Sequence, residues 1–177
     1  MEVSVISWNT LSRKIGVTAL WILVFCMGMS SAAHAENRVG GHIGFVLPLV
    51  THLDGHTETI SDDFVIGFPV GITIRKSEKV AFDFEFEPEV QKEPLEATLI
   101  VHPGVIWTLP HEMEVGLRLA VDVKGDTWGF TPLINRSFKM TEGTKFFAEL
   151  VVPIRIHEIK DDKKASIGIG IHFGVGF

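Results

Sequence analysis

The sequence predicts an all-β chain: eight antiparallel strands in up-and-down order, closed into a transmembrane β-barrel. Three observations predict it. Beyond residue 36 apolar residues recur at alternate positions almost throughout, and no stretch keeps the i, i+3, i+4 spacing of an amphipathic helix. Glycines and other turn formers interrupt the alternation every 10 to 20 residues. The face opposite the apolar one is crowded with Gly, Ala and Thr between its charges, which suits a narrow interior better than a water-facing wall.

Residues 1–35 are expected to be a cleaved signal peptide. Arg13 and Lys14 precede an apolar run from Ile15 to Met27, and Ala33-His34-Ala35 offers small residues at signal-peptidase spacing before Glu36. The run is shorter than the roughly 20 residues a spanning helix requires. The expected mature chain, 36–177, keeps 14 basic and 21 acidic residues for a net charge of −7, and loses Cys26. It is the barrel domain.

The strands follow in order. The first shows Val39, Ile43, Phe45, Leu47 and Leu49 on one face; the second Phe64, Ile66, Phe68, Val70, Ile72 and Ile74. The third sets Val80, Phe82, Phe84 and Phe86 against Asp83, Glu85 and Glu87, and the fourth carries Leu99, Val101, Val105, Trp107 and Leu109. The fifth alternates Val115, Leu117, Leu119 and Val121 with Glu114, Arg118 and Asp122, and the sixth carries Trp128, Phe130, Pro132 and Ile134. In the seventh, Phe146, Ala148, Leu150, Val152, Ile154 and Ile156 oppose Glu149 and Arg155. The eighth sets Ile167, Ile169, Ile171, Phe173, Val175 and Phe177 against Gly168, Gly170, His172, Gly174 and Gly176. Pro69, Pro132 and Pro153 fall inside strands, where the missing donor requires a bulge.

Alternation alone admits a soluble barrel with an apolar cavity as well as a membrane barrel. Large, branched side chains on one face and small ones on the other favour lipid outside and a filled lumen inside. Short connections (76–79, 110–112, 140–144) alternate with longer, more charged ones (51–63, 89–96, 157–166), the asymmetry of periplasmic turns and outer loops. Residues 124–126 are an outer connection no longer than a turn.

Leader, eight alternating segments and the terminal run Ile167-Gly-Ile-Gly-Ile-His-Phe-Gly-Val-Gly-Phe177 together resemble the small eight-stranded outer-membrane β-barrels of Gram-negative bacteria. The resemblance covers essentially the whole mature chain. It implies an outer-membrane location, contact with outer-membrane lipid, and escort by periplasmic chaperones to the barrel-assembly machinery. Ile171, Phe173, Val175 and Phe177 would be the assembly signal read by that machinery through strand addition. The chain departs from the pattern in having no Tyr, so that Trp107, Trp128 and several Phe must form the interfacial girdles.

A lumenal ion-pair network is expected from Arg75, Asp83, Glu85, Arg118, Asp122, Glu149 and Arg155, with Arg118 bridging Glu85 or Glu149 near mid-height, because a charge in a narrow interior must be paired. His42, His102 and His172 share that face as hydrogen-bonded filling. The first outer connection holds His52, Asp54, His56 and Ser61, a rim set similar to that of lipid A-modifying barrel enzymes. The resemblance stops short: only 36–38 would precede the first strand, leaving no amphipathic helix, and no Ser stands beside His172. The expectation is a non-enzymatic, monomeric, porin-like envelope protein with a mostly closed lumen, allowing at most narrow solute passage, with no cofactor and no metal. With a formal charge of −6 and no clustered Lys/Arg, nucleic-acid binding is excluded. One Cys excludes a disulfide scaffold, and 46% hydrophobic residues exclude disorder.

Overall fold

The computed structural model describes residues 38–92, 95–159 and 162–177; the expected signal peptide lies outside them. Among the described residues there are eleven strand segments. They are β1 (Arg38–Leu53), β2 (His56–Thr59), β3 (Val65–Gly67), β4 (Val70–Arg75), β5 (Val80–Gln91), β6 (Glu96–Leu109), β7 (Met113–Asp122), β8 (Thr127–Lys139), β9 (Lys145–Val151), β10 (Ile154–Ile159) and β11 (Asp162–Gly176). All neighbours are antiparallel, and β11 returns to β1 in register from His42↔Gly176 to Leu53↔Ser166, closing the sheet. β3 and β4 occupy one position in the wall, β9 and β10 another, and β2 folds back on the end of β1. The result is an eight-stranded, up-and-down barrel. Closure matters because an unpaired backbone group in hydrocarbon costs several kcal/mol.

Prolines explain the two split strands. Between the pairs Gly67↔Glu89 and Val70↔Phe86 each strand has two residues, and each contributes a proline, Pro69 and Pro88. Between Phe130↔Ile154 and Leu133↔Val151 the same happens with Pro132 and Pro153. The surviving groups bridge the gaps: Phe68 N donates to Pro88 O at 2.8 Å and Val152 N to Pro132 O at 3.0 Å. Four of the missing donors are thereby collected into two places in the wall, while Pro48, opposite Gly170, and Pro103, opposite Phe84, stand singly. The expected bulges at Pro69, Pro132 and Pro153 are corrected accordingly: the register shift lies in β1, between Pro48 and Val50, and β8 runs unbroken through Pro132.

The longer connections are also corrected, from loops to ribbons. β1 runs on to Leu53, turns at Asp54 (φ 51°) and Gly55 (φ 83°), and returns as β2 with Leu53 opposite His56. Two successive left-handed residues make the two-residue turn whose twist matches its strands, which explains an Asp-Gly pair here. β5 and β6 pair as far as Gln91↔Glu96, and β10 and β11 as far as Ile159↔Asp162.

The wall has the polarity of a membrane barrel. Ile43 (52% exposed), Phe84 (41%) and Leu117 (43%) face outward, while Arg118 (3%), Glu85 (1%) and His172 (0%) face the lumen. An apolar cavity, as a soluble carrier needs, is contradicted by this arrangement. Outward aromatics mark both ends: Trp128 and Phe64 on the side of the ribbons, Trp107, Phe138 and Phe146 on the side of the short turns. Arg136 lies over the Phe138 ring, 5.5 Å from its centroid, in keeping with a cation at an interface.

Inside, glycines form hollows that bulky neighbours fill. A Cβ at Gly71 would stand 2.1 Å from the His42 ring, one at Gly67 2.4 Å from Glu87 Oε1, and one at Gly104 2.7 Å from Arg118 Cγ. Gly116 separates Ile106 from Leu133, which join Ala81 and Val151 in a small apolar layer. This accounts for the glycine-rich second face: a narrow eight-stranded lumen makes room for many of its large side chains with small ones beside them.

Candidate functional site: the lumenal ion-pair cluster

Arg118 projects inward from the middle of β7, and two strands, β5 and β9, supply its partners. Its Nε donates to Asp83 Oδ2 at 2.8 Å; Nη1 and Nη2 donate to the two oxygens of Glu149 at 3.1 and 3.4 Å. Nη2 also lies 3.5 Å from Glu85 Oε2. The fork-to-carboxylate contact with Glu149 fixes the guanidinium plane, as a point charge could not. Thr73 Oγ1 donates to the other oxygen of Asp83 at 2.8 Å, and Asn135 Nδ2 donates to Glu149 at 3.0 Å.

The three expected histidines all reach this centre. His42 Nε2 donates to Glu85 Oε2 at 2.8 Å, and His172 Nδ1 to Glu149 Oε2 at 2.7 Å. His102 Nδ1 faces two carboxylates at once, Glu85 Oε1 at 3.1 Å and Glu87 Oε2 at 3.2 Å. The Phe147 ring stands edge-on between His42 (5.8 Å) and His172 (4.9 Å). Asp83, Glu85, Glu87, Arg118, His102, His172 and Glu149 are all 5% exposed or less. Buried charges on this scale persist only because each is paired and hydrogen-bonded.

Three residues of the expected network lie elsewhere. Arg75 sits at the short-turn end and donates to Glu114 (2.9 Å) and Thr108 (2.8 Å). Asp122 accepts from the Lys124 backbone N–H at 2.9 Å and so fastens the β7–β8 turn. Arg155 is apart from the Arg118 clasp: it donates to the carbonyls of Phe130 and Ile154 and attracts the inward carboxyls of Glu87 and Glu89 without a salt bridge to either. Thr73 belongs to the small-residue face that the sequence assigns to the lumen, whereas Asn135 and Phe147 are not singled out by it. Their signal is parity alone: each stands two residues, or a multiple of two, from an inward charge on its own strand or its paired neighbour.

The rim residues do not assemble. His52 shares a hydrogen bond with Thr57, Ser61 with Thr59, and Asp62 accepts from Thr59, so among the described residues no His–Ser contact forms within the first outer connection; the His–Ser contact at this end of the barrel is His157 Nε2 with Ser166 Oγ at 2.8 Å, between β10 and β11. Asp54 is held instead by Lys164 of β11. At the terminus, Phe177 exchanges two backbone hydrogen bonds with Gly41, 2.8 and 2.9 Å, and its ring covers that glycine. Phe173 lies against Phe45, with Ile171 and Val175 outward on the same strand.

Fold and lumen together define an eight-stranded barrel of the outer-membrane type, with a polar, side-chain-filled interior. No protein-family model matches the chain, and no curated protein sequence matches it. Among solved structures it is similar to the outer membrane protein OprG from Pseudomonas aeruginosa, at 8% identity and a TM-score of 0.42, over 81% of this chain and 96% of that one. It is also similar to Ail, the attachment invasion locus protein of Yersinia pestis, crystallised with the heparin analogue sucrose octasulfate (12%, 0.43, 81% and 100%). A third similar structure comes from the de novo design of transmembrane β-barrels (11%, 0.39, 79% and 99%). The barrel assignment stands on this chain's own strand pairing and polarity.

Proposed function

We propose that the protein is a non-enzymatic, integral protein of the bacterial outer membrane, a monomeric barrel whose lumen is plugged and whose role is envelope structure or surface interaction. One observation carries this reading: the Arg118 guanidinium is clasped by Asp83 and Glu149 and faces Glu85, at mid-height, with every member buried. A guanidinium held by carboxylates from two other strands blocks the axis of so narrow a tube, and freeing it would leave uncompensated charge in a poorly hydrated space. The test is conductance in a planar lipid bilayer. Wild type is expected to give no steady current; regular stepwise openings would overturn the plug.

Residues 1–35 act in this reading as the export signal, and N-terminal sequencing of the membrane-embedded protein should begin at Glu36. Ile171, Phe173, Val175 and Phe177 serve as the assembly signal. The outward apolar side chains of β11 and the exposed Phe177 ring support that role, because they stay accessible to a partner strand until β11 closes on β1.

A further inference from the structure

We propose that Glu85, Glu87 and His102 form a binding site for a divalent transition-metal ion of the zinc class, reached from the ribbon end of the barrel along the carboxylates of β5. The donor set is one imidazole and two carboxylates on adjacent strands, with all three ligand atoms within 4.8 Å of one another. His102 Nδ1 lies 3.1 Å from Glu85 Oε1 and 3.2 Å from Glu87 Oε2. Ligands bound about 2.0–2.2 Å from a tetrahedral zinc stand about 3–3.5 Å from each other, so little movement is required. Imidazole with carboxylate is a donor chemistry suited to zinc and its neighbours, with water completing the shell.

The hydrogen count leaves a place for it. Nδ1 carries at most one hydrogen, so the second of the two buried carboxyl groups that face it is matched by a proton held on Glu87 when no ion is bound. Arg118 is committed to Asp83, Glu85 and Glu149, and Arg155, which donates to backbone carbonyls, attracts Glu87 and Glu89 only from a distance, so among the described residues no Lys or Arg stands within 4.0 Å of Glu87. A divalent ion satisfies both carboxylates at once. The neighbours also suit a metal site: His42 Nε2 donates to the second oxygen of Glu85 and holds that carboxylate in orientation.

The approach we infer follows the same strand. Asp83, Glu85, Glu87 and Glu89 are alternate residues of β5, all turned inward, and Glu89 is the one nearer the ribbon end and more accessible. A cation entering there meets Glu89 before Glu87. The site does not depend on whether the lumen conducts, so current in the bilayer and metal binding fail separately.

The experiment uses the untagged protein extracted in detergent. Zn²⁺ is titrated in competition with a chromophoric chelator, and Co²⁺ is added separately to read its visible absorption bands. Wild type is expected to bind one ion per barrel; Glu87→Gln and His102→Gln should each lower affinity by about 100-fold or more, and Arg75→Gln should leave it unchanged. Heat-modifiable migration on gels identifies folded variants; if His102→Gln does not fold, the isosteric Glu87→Gln decides. Absence of binding by the folded wild type, or undiminished binding by the folded variants, overturns the site.

Discussion

Arg118 shows what a single side chain does in this wall. Its removal strands Asp83, Glu149 and Glu85 with too little positive charge, and such a loss typically costs about 3–5 kcal/mol. Lys163, paired with Glu158 at 2.8 Å but more than half exposed, is screened by water. Arg118→Met is therefore expected to lower the urea midpoint of unfolding in lipid vesicles far more than Lys163→Met; equal midpoints would refute the pairing argument. Glycine hollows make a second prediction. His42 is pinned by Glu85 and cannot swing away from a new methyl group at Gly71. Gly71→Ala should cost about 1–3 kcal/mol by overpacking, and in a His42→Ala background most of that cost should vanish, a coupling that a double-mutant cycle measures directly. Much of this centre can be read from parity, because alternation assigns Glu85, Arg118, Glu149 and the three histidines to one face. Height around a tilted barrel is another matter. Arg75, Asp122 and Arg155 share the face, yet the tilt carries them away from the centre, which period-two patterning does not encode.

At the scale of the element, the strands are legible and their ends are not. Hydrophobic alternation marks a strand only while one face touches lipid; above the membrane both faces are wet, and a ribbon reads like a loop. That is why 51–63 and 157–166 look like connections in sequence while β1–β2 and β10–β11 continue through them. Asp54-Gly55 is the one local signal, and it marks the turn. Lys164 beside Asp54 holds that carboxyl below its ordinary range. The sign follows: the ribbon-to-ribbon contact is present at neutral pH and is lost only as pH falls through the depressed value, below the usual carboxylate titration. Asp54→Asn should accordingly raise amide hydrogen exchange in β2 at neutral pH while leaving exchange in β5 to β8 unaltered. Equal protection of β2 in both proteins would show that the contact does not hold the ribbon. Prolines give the complementary lesson. Each is visible in the sequence as a missing donor, but only the register reveals that Pro69 shares one gap with Pro88 and Pro132 another with Pro153.

For the whole molecule, the deciding property is polarity. The fold class follows from composition of the two faces, since large branched side chains against Gly, Ala and Thr leave only one sensible inside. The protein should enter the detergent phase on phase separation and sediment with outer membranes; recovery in the aqueous phase would contradict the lipid-facing assignment. Phe177→Ala should reduce the heat-modifiable, folded fraction in cells by weakening the last strand's recognition, while the folded remainder keeps the wild-type unfolding free energy to within about 1 kcal/mol, as befits an exposed side chain.

The fit of His42, Glu87 and Arg118 into glycines on adjoining strands carries a consequence for the history of such a sequence. The outer wall can drift among oily residues one position at a time, since lipid conforms to whatever it meets. The inner wall cannot. A bulkier residue on one strand demands a smaller one next door, so change there should travel in couples, Gly71 with His42 and Gly104 with Arg118, and related barrels should reveal their registers by which inner positions trade volume.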